Sequence, residues 1–145
     1  MSYWDTSALG KLYVPESDSA AFEQRAAGDS MIVSCQLARF EMHRIAFRKE
    51  SDGLIPAGTA EEVLTHLDQD IAAGEIRLVE TDSALEASFS AIMAACYRRT
   101  PPLPLRTFDA IHLAAARVSG QTEMVATDKR LREAAALLGL SVYPL

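Results

Sequence analysis

Met1-Ser2-Tyr3-Trp4-Asp5 is the stretch of sequence that decides the fold of this chain. A short run of apolar and aromatic residues that ends abruptly in an acid is typical of a buried strand followed by a turn. Further along, short apolar runs alternate with segments in which apolar residues recur with helical spacing. This alternation predicts a parallel sheet with helices on its faces, in which residues 1–4 form the first strand.

The other strands and helices are predicted from apolar periodicity and from the residues that begin and end helices. Further strands are expected at residues 31–33, 76–79, 124–127 and 141–143. Helices are expected at residues 7–14, 18–27, 59–73, 107–118 and 128–138, and two more begin at residues 35 and 82. The predicted helix caps are Ser34, Asp82, Thr107 and Thr59, the last in a T-x-x-E capping box. The predicted fold class is α/β: one three-layer domain over residues 1–145, with a central parallel sheet of four to five strands flanked by helices.

The composition is that of an ordinary globular protein. The chain has 145 residues, of which 49% are apolar and 23% charged. No run approaches the roughly 18 apolar residues that span a membrane. Asp5 interrupts the first apolar stretch, so we expect no signal peptide and a cytoplasmic location. Cys35 and Cys96 lack the spacing of a metal site, and we expect both to be reduced core residues.

The net charge of −6, from 14 basic and 20 acidic residues, argues against a protein that holds nucleic acid by a basic surface alone. It leaves a nuclease open, because a divalent metal bound by clustered acids supplies positive charge locally. It also leaves room for a basic partner protein.

Three aspartates are predicted to meet at one edge of the sheet. Asp5 follows the first strand and Asp128 the fourth, so both lie at the carboxyl edge, where α/β folds place their sites. Asp109 lies in the first turn of a helix that leaves the same edge, where the helix dipole favours a negative charge.

Glu41 is the fourth acid, and it interrupts an apolar helix stripe between Leu37 and Ile45. A carboxylate rarely occupies such a stripe without a partner, and a metal at the rim would supply one. Two carboxylates about 6 Å apart repel by roughly 3 kcal/mol at an effective dielectric constant of about 20, so four together need a cation. An all-oxygen ligand set predicts Mg²⁺, or Mn²⁺ in its place. The three aspartates are then the main ligands, and Glu41 either binds a second metal or positions the attacking water.

Each acid taken alone also has a structural explanation. Asp5 suits a turn, Asp128 a helix cap and Asp109 the positive end of a helix dipole, while Glu41 suits a salt bridge. Four such acids on one rim of a short chain favour a site instead.

Around these acids the sequence resembles the PIN-domain ribonucleases, especially the VapC-type toxins of bacterial type II toxin–antitoxin pairs. The resemblance is carried by residues 3–9 (YWDTSAL), 34–41, 108–116 (FDAIHLAAA) and 126–131 (ATDKRL), and it covers essentially the whole chain. It implies Mg²⁺-dependent cleavage of RNA with Asp5, Glu41, Asp109 and Asp128 as the active site. It also implies a cognate antitoxin as inhibitor and homodimerisation.

Three hydroxyl residues are the predicted supporting residues. Thr6 and Ser7 either cap the first helix or orient Asp5 or a bound water. Thr127 adjoins Asp128, whereas in the family a hydroxyl residue more often stands two positions before the fourth acid, so its role stays open.

Basic residues near the predicted site are candidates for contact with the RNA backbone. Those adjoining Asp128 are Lys129, Arg130 and Arg132, and those flanking the proline-rich loop are Arg98, Arg99 and Arg106. Another basic group, Arg44, Arg48 and Lys49, is expected to be a solvated helix face. His112 is expected to pack or hydrogen-bond rather than to bind zinc, and His43 and His66 to be solvated.

An antitoxin helix is predicted to dock on the helices before Pro15 and around Phe22, or on the stripe near Phe40 and Phe47. The alternative function is a non-catalytic PIN-like module that works through protein contacts. A phosphohydrolase is disfavoured, because Ser7 replaces the second acid of its D-x-D motif. A phospho-acceptor domain is disfavoured too, because the adjacent acids it needs are missing.

Overall fold

Five parallel strands form the central sheet of the computed structural model, which describes residues 1–145. The strands are β1 (Ser2–Trp4), β2 (Ile32–Cys35), β3 (Ile76–Val79), β4 (Glu123–Val125) and β5 (Ser141–Tyr143). Their order is β3-β2-β1-β4-β5, and every neighbouring pair is parallel. The predicted parallel sheet is therefore confirmed, with β1 as its central and fully buried strand.

Seven helices connect and cover the strands, as parallel pairing requires. They are α1 (Thr6–Gly10), α2 (Ser19–Ala27), α3 (Leu37–Ser51), α4 (Ala60–Ala72), α5 (Ser83–Arg98), α6 (Thr107–Val118) and α7 (Lys129–Leu137). α6 is the most deeply buried, because its run of alanines lets it lie closely against β2 and α5. This burial carries Asp109 and His112 into the interior.

Two predicted capping hydroxyls donate to other carbonyls instead of capping their helices. Ser34 lies inside β2, where its Oγ donates to the Trp4 carbonyl at 2.9 Å, and α3 begins only at Leu37. Thr59 precedes α4, but its Oγ1 donates to the Pro56 carbonyl at 2.6 Å, so no capping box forms.

The remaining helix ends are closer to prediction. Asp82 caps α5 by accepting from Leu85 N at 2.9 Å, as expected. Thr107 is the first residue of α6 rather than its cap. β4 ends at Val125, two residues earlier than predicted.

The aromatic core corrects one predicted docking surface. Phe22 is buried, and its ring lies edge-on to Trp4 and Tyr143, with centroids 6.2 Å and 6.0 Å away. A surface around Phe22 is therefore not available to an antitoxin helix. Cys35 and Cys96 are buried and free, as predicted. None of the helices combines the length and apolarity that crossing a membrane requires.

Candidate active site

Asp5 and Asp128 stand at the carboxyl edge of adjacent strands, each at the start of a helix. Asp5 Oδ1 accepts from Ala8 N at 2.8 Å, and Asp128 Oδ1 accepts from Leu131 N at 3.0 Å. The backbone N–H of Asp5 donates to Val125 O at 3.0 Å, which ties the end of β1 to the end of β4. Each carboxylate thus uses one oxygen as a helix cap. The other oxygen, Oδ2, receives no backbone donor in either residue.

The hydroxyl residues beside Asp5 have different surroundings. Because Asp5 itself caps α1, the capping interpretation of Thr6 and Ser7 is wrong. Thr6 is buried and its Oγ1 donates to Glu41 Oε1 at 2.7 Å, whereas Ser7 is exposed and lines a cleft. Thr127 lies outside that cleft, on a neighbouring pocket.

A buried histidine supplies the partner of Glu41. His112 Nε2 lies 2.8 Å from Glu41 Oε1, and Tyr3 Oη lies 2.7 Å from the other ring nitrogen, Nδ1. The hydrogen-bonding role expected of His112 is confirmed. The metal expected as the partner of Glu41 is not needed to explain its burial. One sequence feature places His112 near the acids: it stands three residues after Asp109 and therefore on the same face of the helix.

This pair carries opposite charges at neutral pH. Burial alone would lower the pKa of His112, but hydrogen bonds to Cys35 and Glu41 outweigh it and raise the pKa to about 10. Burial alone would raise the pKa of Glu41, but the hydrogen bond and charge of His112, with the Thr6 hydroxyl, hold it below its ordinary value. Glu41 is therefore a carboxylate with one oxygen, Oε1, already engaged twice.

Asp5 shares its electrostatic environment with two other acids. Burial is the largest cause that raises the pKa of Asp5 to about 6, and the charges of Glu41 and Asp109 raise it further. His112 and the Ala8 amide act in the opposite direction. Mutual repulsion of this kind is the condition under which carboxylates bind a cation.

Arg106 bridges two of the acids from the start of α6. Its Nε lies 3.1 Å from Asp109 Oδ2, and its terminal nitrogen lies 3.5 Å from Asp128 Oδ2. The structure therefore brings all four acids to one edge: Asp5, Glu41 and Asp109 interact by charge, and Asp128 is joined through Arg106.

A cleft of about 480 Å³ opens between α3 and α6, and two of the four acids, Glu41 and Asp109, line it. Arg106 is the one RNA-binding candidate that lines it. Arg132 instead donates to the Ala126 and Pro144 carbonyls. The other candidates are exposed and lie outside the cleft, and their RNA contact stays a prediction: Lys129, Arg130, Arg98 and Arg99.

Sequence reasoning missed three residues that line the cleft. Antitoxin docking near Phe40 stays a prediction, Arg44 is exposed as expected, and Phe108 was not among the predicted site residues. For the two phenylalanines, the sequence feature that indicates a place near the site is their position directly before an acid. Phe40 precedes Glu41, and Phe108 precedes Asp109.

The carboxylate oxygens of the four acids are suitable ligands for a hard divalent cation. In this structure, however, His112 and Arg106 bind some of these oxygens and would compete with the cation. No three Asp, Glu, His or Cys side chains stand at the spacing of a preformed metal site. His112 holds Glu41, and Arg106 bridges Asp109 and Asp128. Arg106 is 68% exposed, however, and exposed ion pairs contribute only about 0–1 kcal/mol, so withdrawing its guanidinium costs little. The all-oxygen donor set then matches Mg²⁺.

Comparison with known proteins agrees with this architecture. The model of the PIN domain family matches residues 2–137. Ribonuclease VapC46 of Mycobacterium tuberculosis is 32% identical over 97% of this chain and 94% of its own length. Ribonuclease VapC35 of the same species is 34% identical over 98% and 95%. The crystal structure of FitAcB from Neisseria gonorrhoeae shares the fold, with a TM-score of 0.67 at 18% identity over 99% of this chain and 96% of that one. Because the family model spans nearly all of the sequence, this chain belongs to the PIN domain family.

Proposed function

We propose that this chain is a divalent-metal-dependent endoribonuclease and the toxin of a type II toxin–antitoxin pair, acting in the cytoplasm. The observation that carries the proposal is the gathering of Asp5, Glu41, Asp109 and Asp128 at one edge of the sheet. Two of these acids, Glu41 and Asp109, line an open cleft there. The similar proteins from Mycobacterium tuberculosis are named ribonucleases, which supports RNA as the substrate.

Mg²⁺, or Mn²⁺ in its place, would be held by Asp5, Asp109 and Asp128, and when bound would activate a water and stabilise negative charge on the scissile phosphate. Asp5 and Asp128 are oriented in advance by their helix caps. Glu41 keeps one oxygen, Oε2, clear of His112 and Thr6, which suits it to position the attacking water. His112 holds its proton on Nε2 toward Glu41, so Glu41 stays ionised.

A cognate antitoxin is proposed as the inhibitor, and a homodimer as the assembled state, from the resemblance to VapC-type toxins. Exposed apolar side chains outside the cleft offer contact area for such partners, among them Phe47 on α3 and Tyr97 on α5. Co-purification with the product of an adjacent small reading frame, and the mass in solution by light scattering, test these two assignments.

The nuclease assignment is tested by incubating purified protein with total RNA and Mg²⁺. We expect the wild-type chain to cleave, and both Asp5→Asn and excess EDTA to abolish cleavage. Asp68→Asn makes the same chemical change on an exposed side chain of α4 and is expected to cleave normally. Equal cleavage by the wild type and Asp5→Asn, or none by either, would contradict the assignment.

A non-catalytic interaction module is the second candidate. The observation in its favour is that Arg106 already neutralises Asp109 and Asp128, with no preformed group of three ligands. Titration calorimetry separates the two functions. If the chain is a nuclease, the wild type binds Mn²⁺ and Asp5→Asn loses this binding. A pure interaction module shows no Mn²⁺ binding in either protein.

A further inference from the structure

We propose that Tyr3 is a positioning residue of the reaction, because its buried hydroxyl orients His112 and, through that ring, the carboxylate of Glu41. This inference rests on the proposed function and deepens it, since it traces the orientation of a site acid to a residue in the core of the sheet. Tyr3 is fully buried and does not line the cleft, so it acts only through His112.

The hydroxyl of Tyr3 lies where an apolar ring would be expected. Tyr3 is the middle residue of β1, and its backbone pairs with Val33 on one side and with Met124 on the other. A phenyl ring would fill this space, whereas a buried hydroxyl is unfavourable unless it is hydrogen-bonded. Here the hydroxyl oxygen lies 2.7 Å from His112 Nδ1. The hydroxyl is therefore explained by His112 rather than by packing.

This hydroxyl distinguishes between the two orientations of the imidazole ring. A half-turn of the ring exchanges each nitrogen with a carbon, and a carbon does not replace the lost hydrogen bond. The other neighbour of Nδ1 is Cys35 Sγ at 3.7 Å, and a thiol is only a weak hydrogen-bonding group. A hydroxyl also suits Nδ1 in either charge state, because it accepts from an N–H and donates to a bare nitrogen. Tyr3 thus keeps Nε2 directed toward Glu41.

The orientation of His112 decides which oxygen of Glu41 faces the cleft. His112 Nε2 lies 2.8 Å from Glu41 Oε1, and Thr6 Oγ1 donates to the same oxygen at 2.7 Å. A single donor would let the carboxylate turn about that one bond, whereas two donors from different helices fix its plane. Oε2 is then held toward the cleft that Glu41 lines, where it positions the attacking water.

Stability of the core does not by itself account for this chain of hydrogen bonds. Its members come from three elements: Tyr3 from β1, His112 from α6 and Glu41 from α3. Replacing both partners of a buried hydrogen bond by apolar groups of the same shape is often nearly neutral for stability. Apolar groups would not, however, give a fixed orientation to an acid beside the cleft. A chain that ends on such an acid favours a positioning role.

The test compares Tyr3→Phe with two control variants. Tyr13→Phe removes a hydroxyl that donates to Asp70 near the opposite edge of the sheet. Cys35→Ala removes the second neighbour of Nδ1 and leaves Tyr3 in place. Each protein is measured well below its Tm.

Three measurements are made on each protein. The kcat and KM are measured in Mg²⁺ on a fluorophore–quencher oligoribonucleotide of random sequence. Titration calorimetry gives the number of Mn²⁺ sites, so that kcat is expressed per metal-binding molecule. Imidazole ¹⁵N NMR spectra of the metal-free protein report the protonation and orientation of the His112 ring.

Tyr3→Phe is expected to lower kcat about tenfold with KM unchanged, as for loss of an outer partner of a site residue. The number of Mn²⁺ sites stays the same, because Asp5, Asp109 and Asp128 keep their places. The wild-type spectrum shows one ring orientation with a proton on Nε2, and in Tyr3→Phe the ring signals double or broaden. Both control variants retain the kcat and the His112 spectrum of the wild type.

Several outcomes would overturn the proposal. Unchanged kcat in Tyr3→Phe would do so, and so would an unchanged imidazole spectrum. An equal loss of kcat in either control variant would make the hydroxyl one contribution to packing among many. If Tyr3→Phe does not fold, the wild-type spectrum decides: Nε2 without a proton, or Nδ1 without a hydrogen bond to the Tyr3 hydroxyl, contradicts the proposed orientation.

Failure of the proposed function is recognised separately. A wild-type chain that never cleaves RNA removes that function, and with it the role of Tyr3 in the reaction. The imidazole spectra still show in that case whether the hydroxyl orients the ring. A chain that cleaves equally well with and without the Tyr3 hydroxyl keeps its function and loses this positioning residue.

Discussion

At the scale of single residues, the buried charge of Glu41 depends on the protonated His112 opposite it. Removing one partner of a buried ion pair leaves the other charge uncompensated and costs about 3–5 kcal/mol. Because Glu41 is partly exposed, we expect His112→Gln to lower the free energy of unfolding by about 3 kcal/mol and to raise the pKa of Glu41. Urea denaturation and carboxyl NMR titration measure the two effects, with the exposed His43→Gln as the matched control.

The pH dependence of this effect has a definite sign. The folded-state pKa of His112 is raised to about 10, so its stabilising contribution is complete below its ordinary pKa of 6.5 and is lost as the pH rises through 10. The stability difference between the wild type and His112→Gln should therefore be constant in mild acid and shrink in alkali. A difference that grows with pH would contradict the ion pair.

Asp5 gives a pH dependence of the same sign, but in a lower pH range. Its pKa is raised from 3.8 to about 6, so the folded, metal-free protein holds this proton more tightly than the unfolded chain does. Stability from Asp5 is present below about pH 4 and is lost as the pH rises through about 6. We expect Asp5→Asn, which retains the helix cap, to exceed the wild type by roughly 2–3 kcal/mol at pH 7 and to match it near pH 4. Urea unfolding in EDTA measures the gap, and a gap independent of pH would refute the assignment.

Individual site residues differ in how far the sequence reveals them. Asp5 and Asp109 were predictable, because a strand end and a first helical turn fix their places at the sheet edge. The contact between Glu41 and His112 joins residues 71 positions apart, and depends on how α3 and α6 approach each other. The apolar stripe around Glu41 showed that a partner was required but not which residue supplied it.

At the scale of elements, Asp128 has two separable roles as the cap of α7 and as a site acid. Replacing an N-cap by alanine costs about 1 kcal/mol, whereas Asn and Ser cap nearly as well as Asp. We expect Asp128→Ala to lower the free energy of unfolding by that amount and Asp128→Ser to preserve it. Both should weaken Mn²⁺ binding, measured by calorimetry. If Asp128→Ser binds Mn²⁺ as well as the wild type does, Asp128 is a cap alone.

Helix and strand positions were predictable from apolar runs, but their ends depended on tertiary partners. Ser34 has the chemistry of a cap, yet it pairs with β3 and gives its hydroxyl to the Trp4 carbonyl. The extra strand residues move the start of α3 to Leu37. No local pattern shows which of two available partners a serine hydroxyl takes, because the competing partner lies 30 residues away.

At the scale of the whole molecule, metal binding and folding should be linked. A ligand that binds only the folded state adds about 2.7 kcal/mol of stability at a hundred times its Kd. We expect Mn²⁺ to raise the Tm of the wild type and to have little effect on Asp5→Asn. Arg106→Ala removes a competing cation, so the same rise should need about two- to fivefold less Mn²⁺. Arg117→Ala is the control, and an unchanged or higher Mn²⁺ requirement in Arg106→Ala would contradict the competition.

The central strand of this sheet is also the first to be made by the ribosome. β1 lies between β2 and β4, and its residues Tyr3 and Trp4 pair with Met124 and Val125 near the other end of the chain. During translation β1 therefore lacks one neighbour until β4 has emerged, and contacts between such distant segments form late. Asp128 emerges later still. If the chain is the ribonuclease proposed above, its active site cannot assemble during synthesis before the segment that carries β4 and Asp128 has emerged from the ribosome.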